Sequence, residues 1–93
     1  MPLVNVRYEG LLRGITKKRE ESVKFEGKTL RELIAYLITI YGKEFKEQIF
    51  HGATLRKDAM ILLKRGNTKT VKLEEELKDG DKVAILPVPV EGG

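Results

Sequence analysis

The chain has 93 residues, 18 of them basic and 14 acidic, with one histidine, no cysteine and no tryptophan. A chain this short forms one domain that buries about 60–65% of its extended surface, which leaves little room for an internal catalytic cleft. Without cysteine there is no disulfide framework, zinc-thiolate site, iron–sulfur cluster or thiol nucleophile. A lone His51 does not make a two-histidine metal site, so no metal site is expected.

The net charge of +4 is spread rather than blocked. The densest basic run, Lys17-Lys18-Arg19, continues directly into Glu20-Glu21 and holds no aromatic residue, so it reads as a solvated loop rather than a nucleic-acid stripe. The N-terminus lacks the cationic-then-apolar pattern of a signal peptide. The most apolar window, 33–41, falls short of the ~20 residues a membrane span needs. The expectation is a cytoplasmic protein with no membrane partner.

In chain order, Val4, Val6 and Tyr8 alternate with polar residues and predict a strand over 2–9. Gly10 and Gly14 mark a turn region. Val23 and Phe25 predict a second strand ending near Gly27, paired with the first as an antiparallel hairpin. Leu30, Leu33, Ile34, Leu37, Ile38 and Tyr41 form one helical stripe, opened by a Thr29–Glu32 capping box and closed by Gly42. Phe45, Ile49 and Phe50 predict a short helix over 43–50, running into a loop at Gly52. His51 has no neighbouring carboxylate or second histidine and is read as non-functional.

The apolar run Met60–Leu63 predicts a strand buried on both faces. A turn at Arg65-Gly66-Asn67 leads to a brief strand at Val71 and Leu73, then an acidic surface turn at 74–76. Asp79-Gly80-Asp81 predicts a tight turn into a final strand, Lys82–Leu86. One helix laid on a mixed sheet of about four to five strands, with the first and last strands parallel at its centre, is an α+β β-grasp arrangement. The expected domain is 1–86, followed by an extended C-terminal tail, 87–93.

That tail reads Pro87-Val88-Pro89-Val90-Glu91-Gly92-Gly93. Alternate prolines remove backbone donors and fix φ near −65°, so the segment reads as a stiff-rooted arm rather than an inner strand. Glycine has no Cβ, so a Gly-Gly carboxylate can be threaded through a narrow channel into another protein's active site. An α-carboxyl with a pKa of ~3.5 is ionised in the cell. It can attack the α-phosphate of ATP once Mg²⁺ and cations shield the phosphates. Such chemistry needs no side chain from this chain, so no independent active site and no bound cofactor are expected.

Leu77-Lys78-Asp79-Gly80-Asp81-Lys82-Val83-Ala84-Ile85 resembles the L-x-D-G-D-x-V-x-hydrophobic run of the MoaD/ThiS-like sulfur carriers, a ubiquitin-like β-grasp family. Pro89-Val90-Glu91-Gly92-Gly93 resembles the family's P-V-x-G-G ending, and Thr29-Leu30-Arg31-Glu32-Leu33 its helix start. The usual double proline is spread here as Pro87-Val88-Pro89, Glu91 stands where a small residue is usual, and Lys64-Arg65 replaces an N-G turn.

The resemblance implies that Gly93 is adenylated by an E1-like enzyme of the MoeB/ThiF type, which uses ATP and Mg²⁺, and is then converted to a thiocarboxylate. Gly92, Glu91, Val90 and Pro89 would thread into that partner. The 43–58 connector makes the chain longer than a minimal ThiS-type carrier and favours the MoaD type, the small subunit of molybdopterin synthase, with a MoaE-type large subunit as acceptor. Alternatives are a ubiquitin-like modifier joined to lysines through Gly93, and a sulfur carrier for thiamine synthesis or tRNA thiolation. A more distant one is a TGS-like RNA-binding module using Lys64, Arg65, Lys69 and Lys72, which strand alternation would split between faces. A partner-facing surface is expected beside the tail, around Leu62, Val83 and Ile85.

Overall fold

The computed structural model describes residues 1–87, and its core element is a five-stranded mixed sheet. The elements are β1 (Leu3–Tyr8), α1 (Leu12–Thr16), β2 (Glu20–Lys24), α2 (Leu30–Tyr41), α3 (Lys43–Ile49), β3 (Phe50–His51), β4 (Thr54–Leu55), β5 (Met60–Arg65), β6 (Asn67–Thr70) and β7 (Lys82–Leu86). The strand order is β2-β1-β7-β5-β6, with β3 and β4 forming a separate small hairpin. Strand β1 pairs antiparallel with β2 and parallel with β7, and β7 pairs antiparallel with β5. The expected β-grasp, with first and last strands parallel at the centre, is what the chain adopts.

Helix α2 forms where its stripe predicts. Thr29 accepts from the Glu32 N–H, and the Glu32 carboxylate accepts from the Thr29 N–H, completing the capping box. Leu30, Leu33, Ile34 and Leu37 are fully buried in the core that α2 shares with the sheet. Each such burial is worth about 2 kcal/mol. Helix α3 adds Phe45 and Ile49, and Phe45 stacks on Tyr41 at 5.5 Å between ring centroids.

Four details depart from the sequence expectation. The turn region after Gly10 contains the short helix α1, which buries Leu12. The loop at Gly52 is the tip of the β3–β4 hairpin, in which His51 is exposed. The strand after the Gly66 turn is Asn67–Thr70, not a strand at Val71 and Leu73. The Val71 N–H still donates to the Ile61 carbonyl of β5 at 3.0 Å, but beyond it the backbone finds other partners: the carbonyls of Leu73 and Glu75 accept from the N–H groups of Arg31 and Leu30 at the start of α2. Those helix-end donors have no partner within the helix, and the segment satisfies them instead of extending the sheet. Finally, Met60–Leu63 is buried on one face only: Ile61 and Leu63 face the core, while Met60 is 44% exposed and Leu62 half-buried.

The Asp79-Gly80-Asp81 turn forms as expected, with Gly80 at φ +91°. Asp81 is only 3% exposed, accepts from the Lys78 N–H at 2.7 Å, and receives two bonds from the Arg65 guanidinium, at 2.9 and 2.6 Å. The Arg65 hydrogen bonds hold its carboxyl below the ordinary aspartate value against the opposing effect of burial. A carboxyl with a lowered folded-state pKa stabilises the fold above its unfolded value and loses that contribution as pH falls through its folded value. Stability therefore drops as pH falls below ~3.9. Replacing the carboxylate in Asp81→Ala is expected to cost about 1–3 kcal/mol at neutral pH. It should also flatten the acid limb of stability measured by urea denaturation between neutral and strongly acidic pH.

Candidate functional site

The candidate site begins where β7 ends. Being paired on both sides, β7 fixes the direction in which the chain leaves Leu86. The Glu9 N–H donates to the Ile85 carbonyl at 3.2 Å, extending the parallel ladder to the last residues of β7. The next residue, Pro87, is buried. It lies against Gly10, where an added Cβ would sit 3.3 Å from the proline Cγ. Gly10 also has φ +57°, a left-handed conformation that a side chain disfavours. The β1–α1 turn thus braces the base of the tail, which accounts for one of the two glycines in the region. The expected site residues Pro89, Val90, Glu91, Gly92 and Gly93 lie outside the described residues.

Among the described residues, the sheet face away from α2 carries no second layer. Registers place Leu62 opposite Ala84, and Met60 opposite Leu86. These four side chains form an apolar band beside the tail base, all partly or largely exposed. Of the three residues expected at a partner surface, only Leu62 lies here. Val83 and Ile85 alternate to the other face and are core, at 1% and 0% exposed. Continuous apolar strands hide this distinction; the pairing register reveals it.

Farther from the tail the open face turns polar. Asn5 and Lys82 are cross-strand neighbours, as are Lys82 and Lys64, and Lys64 and Thr68. These residues, with Arg7, line an open cleft of about 430 Å³. Arg7 pairs with Glu9 at 2.6 Å. The four cations considered for RNA contact are not one patch. Lys64 is on the open face, Arg65 is committed to Asp81, and Lys69 lies 3.8 Å from Glu75. Lys72 follows the end of β6.

On the helix side, Glu21 ties β2 to α2. It accepts from the hydroxyl of Tyr8 at 2.6 Å and from that of Tyr41, and pairs with Lys18 at 3.1 Å. Burial opposes ionisation of Glu21, but the Tyr41 and Tyr8 hydroxyls and the Lys18 ammonium outweigh it and hold its carboxyl below the usual range. Burial, then the Glu21 charge, pushes Tyr8 above the ordinary phenol value. Tyr8 is fully buried and Glu21 faces it, so this cluster braces the scaffold rather than a reaction. Among the described residues no three histidines, cysteines or carboxylates gather as a metal site. No helix among them is long and apolar enough to cross a membrane.

The β-grasp scaffold recurs in known proteins. A search of curated protein sequences finds no match. Among solved structures, a Pyrococcus furiosus protein provisionally designated molybdopterin converting factor, subunit 1, is 33% identical with a TM-score of 0.75, covering 97% of this chain and 100% of that one. The small archaeal modifier protein 1 of Methanosarcina acetivorans is 27% identical with a TM-score of 0.77, covering 100% and 98%. A chain of the Amycolatopsis orientalis BexX/CysO complex is 26% identical with a TM-score of 0.75, covering 96% and 99%. The ThiS family model matches residues 6–93, from β1 through the final glycine. The chain belongs to the ThiS family of β-grasp sulfur carriers and small modifiers.

Proposed function

We propose that this chain is a MoaD-type sulfur carrier for molybdopterin synthesis, acting through the carboxylate of Gly93. The observation that carries the reading is the reach of the family match: it runs through Pro89-Val90-Glu91-Gly92-Gly93 and ends on the residue that would react. The likeness to the Pyrococcus furiosus protein favours the molybdopterin branch.

In this reading an E1-like enzyme supplies ATP, Mg²⁺ and the active site. A Gly93 carboxylate oxygen attacks the α-phosphate, pyrophosphate leaves, and an acyl-adenylate forms. Hydrosulfide (HS⁻) then attacks the acyl carbon, AMP leaves, a proton passes to solvent, and the carrier leaves as a thiocarboxylate. Gly92 and Gly93 present only backbone to the enzyme's channel, while Pro89, Val90 and Glu91 span the distance from the scaffold. The acceptor is a MoaE-type large subunit. The apolar band of Met60, Leu62, Ala84 and Leu86 supports this reading, because it places uncovered hydrophobic surface beside the base of the tail.

The likeness to small archaeal modifier protein 1 favours a second use of the same adenylate, attack by a lysine amine to give an isopeptide bond. The two readings diverge only in the nucleophile that follows adenylation.

Intact mass of the chain, after incubation with an E1-like enzyme, ATP and a sulfur donor, separates them. The carrier reading expects exchange of one oxygen for sulfur, abolished by deleting Gly93. Unchanged mass, together with lysine conjugates in tagged lysates, supports the modifier. Leu62→Asp tests the docking band: it should leave thermal stability near that of the parent while raising the KM for the carrier in ATP–pyrophosphate exchange about tenfold.

A further inference from the structure

Lys64 and Lys82 are directly opposite one another on the antiparallel pair β5–β7, on the open face. Side chains so placed have Cβ atoms about 5 Å apart, and like charges there are destabilising. Both residues are exposed, and among the described residues neither forms an ion pair with a carboxylate. Two acidic groups stand nearby, of which Glu20 lines the same cleft without pairing with either lysine. Glu20 accepts from the Asn5 amide at 3.1 Å, and Glu9 pairs with both Arg7 and Arg13. This repulsion sits on central strands of the sheet, where a neutral or opposite pair would be more stable, and it faces a cleft with the Thr68 side chain at its rim.

We propose that Lys64 and Lys82 together form a carboxylate-recognition site for an acidic segment of the E1-like enzyme that adenylates the tail. The inference rests on the carrier reading above and specifies how the partner is selected and set in register. Lys82 stands four positions before Leu86 on β7, so the partner's carboxylates lie about 13 Å from the residue at which the strand gives way to the tail. Apolar contact at Met60, Leu62, Ala84 and Leu86 supplies buried area near that residue. The lysine pair supplies orientation and speeds encounter, as charge at an interface rim does. An acidic protein segment fits better than nucleic acid, because the open face carries no aromatic ring for a base to stack on.

The test is ATP–pyrophosphate exchange by the E1-like adenylating enzyme of the same organism, with the full-length chain as the varied substrate. The double reversal K64E/K82E keeps the cross-strand repulsion and so folds like the parent. It is expected to raise KM about tenfold with kcat unchanged, while K64R/K82R stays near the parent. The parent's KM should rise with salt, and that of K64E/K82E should not. The single K82E converts repulsion into attraction and should raise Tm by about 2–5 °C while still raising KM. A structural role alone would not couple gained stability to lost affinity.

An unchanged KM in K64E/K82E, or a salt-independent parent, overturns the proposal. So does tight binding of a single-stranded RNA oligonucleotide that the double reversal abolishes, which would reassign the pair to phosphates. Absence of exchange with the parent chain itself removes the carrier reading, and this inference with it. Exchange that is normal in all variants removes only this inference.

Discussion

One helix against five strands is the constraint on which the rest of the molecule depends. The parallel pairing of β1 with β7 puts the two ends of the chain's core side by side, and α2 covers the sheet from one side only. Among the described residues no second layer covers the other face. The core is therefore one-sided: Val4, Val6, Tyr8, Ile61, Leu63, Val83 and Ile85 close over α2, and every alternate residue of the same strands is left for solvent or a partner. The apolar part of that alternate set lies next to the exit of β7, so the surface available for docking and the base of the tail share one strand.

The ends of the elements are secured by polar contacts that do not compete with this division. Asp81 and Arg65 sit at the end of the core-facing rows of β7 and β5, closing the sheet where the apolar side chains run out. Glu21 does the same for β2, drawing the Tyr8 and Tyr41 hydroxyls to one carboxylate. In both places a charge is taken from water only where several donors meet it, the condition under which burial of a carboxylate is tolerable. No buried side-chain polar atom among the described residues lacks a partner.

What was legible beforehand followed from periodicity and local chemistry. The stripe and capping box of α2, the alternation of β1, and the glycine of the Asp79-Gly80-Asp81 turn each encode their conformation within a few residues. What was not legible depends on partners distant in sequence. Helix α1 is five residues long, and its signal is little more than Leu12 and Ile15, with Gly14 interrupting it from inside. Val71 and Leu73 look like strand residues, yet only the Val71 N–H still pairs with β5, and the helix-end donors of Arg31 and Leu30 claim the carbonyls of Leu73 and Glu75. The faces of β5 and β7 could not be told apart because both are apolar. The register sets Leu62 against Ala84 and Leu63 against Val83, and burial then separates a core row from an exposed one.

The lack of cysteine and the single histidine take on a different meaning in this fold. A small two-layer domain has no interior cleft in which side chains could be desolvated and tuned for catalysis, and its buried ionisable groups are all committed to holding elements together. Reactivity in such a molecule is placed most economically where the fold ends, on a backbone carboxylate carried to another protein's catalytic groups. On the proposed carrier reading, the scaffold has two tasks, to aim the tail and to be recognised. Pro87 packed against Gly10 serves the first. The second falls to the open face, and the cost of leaving Lys64 beside Lys82 is understandable if recognition rather than stability shaped that row.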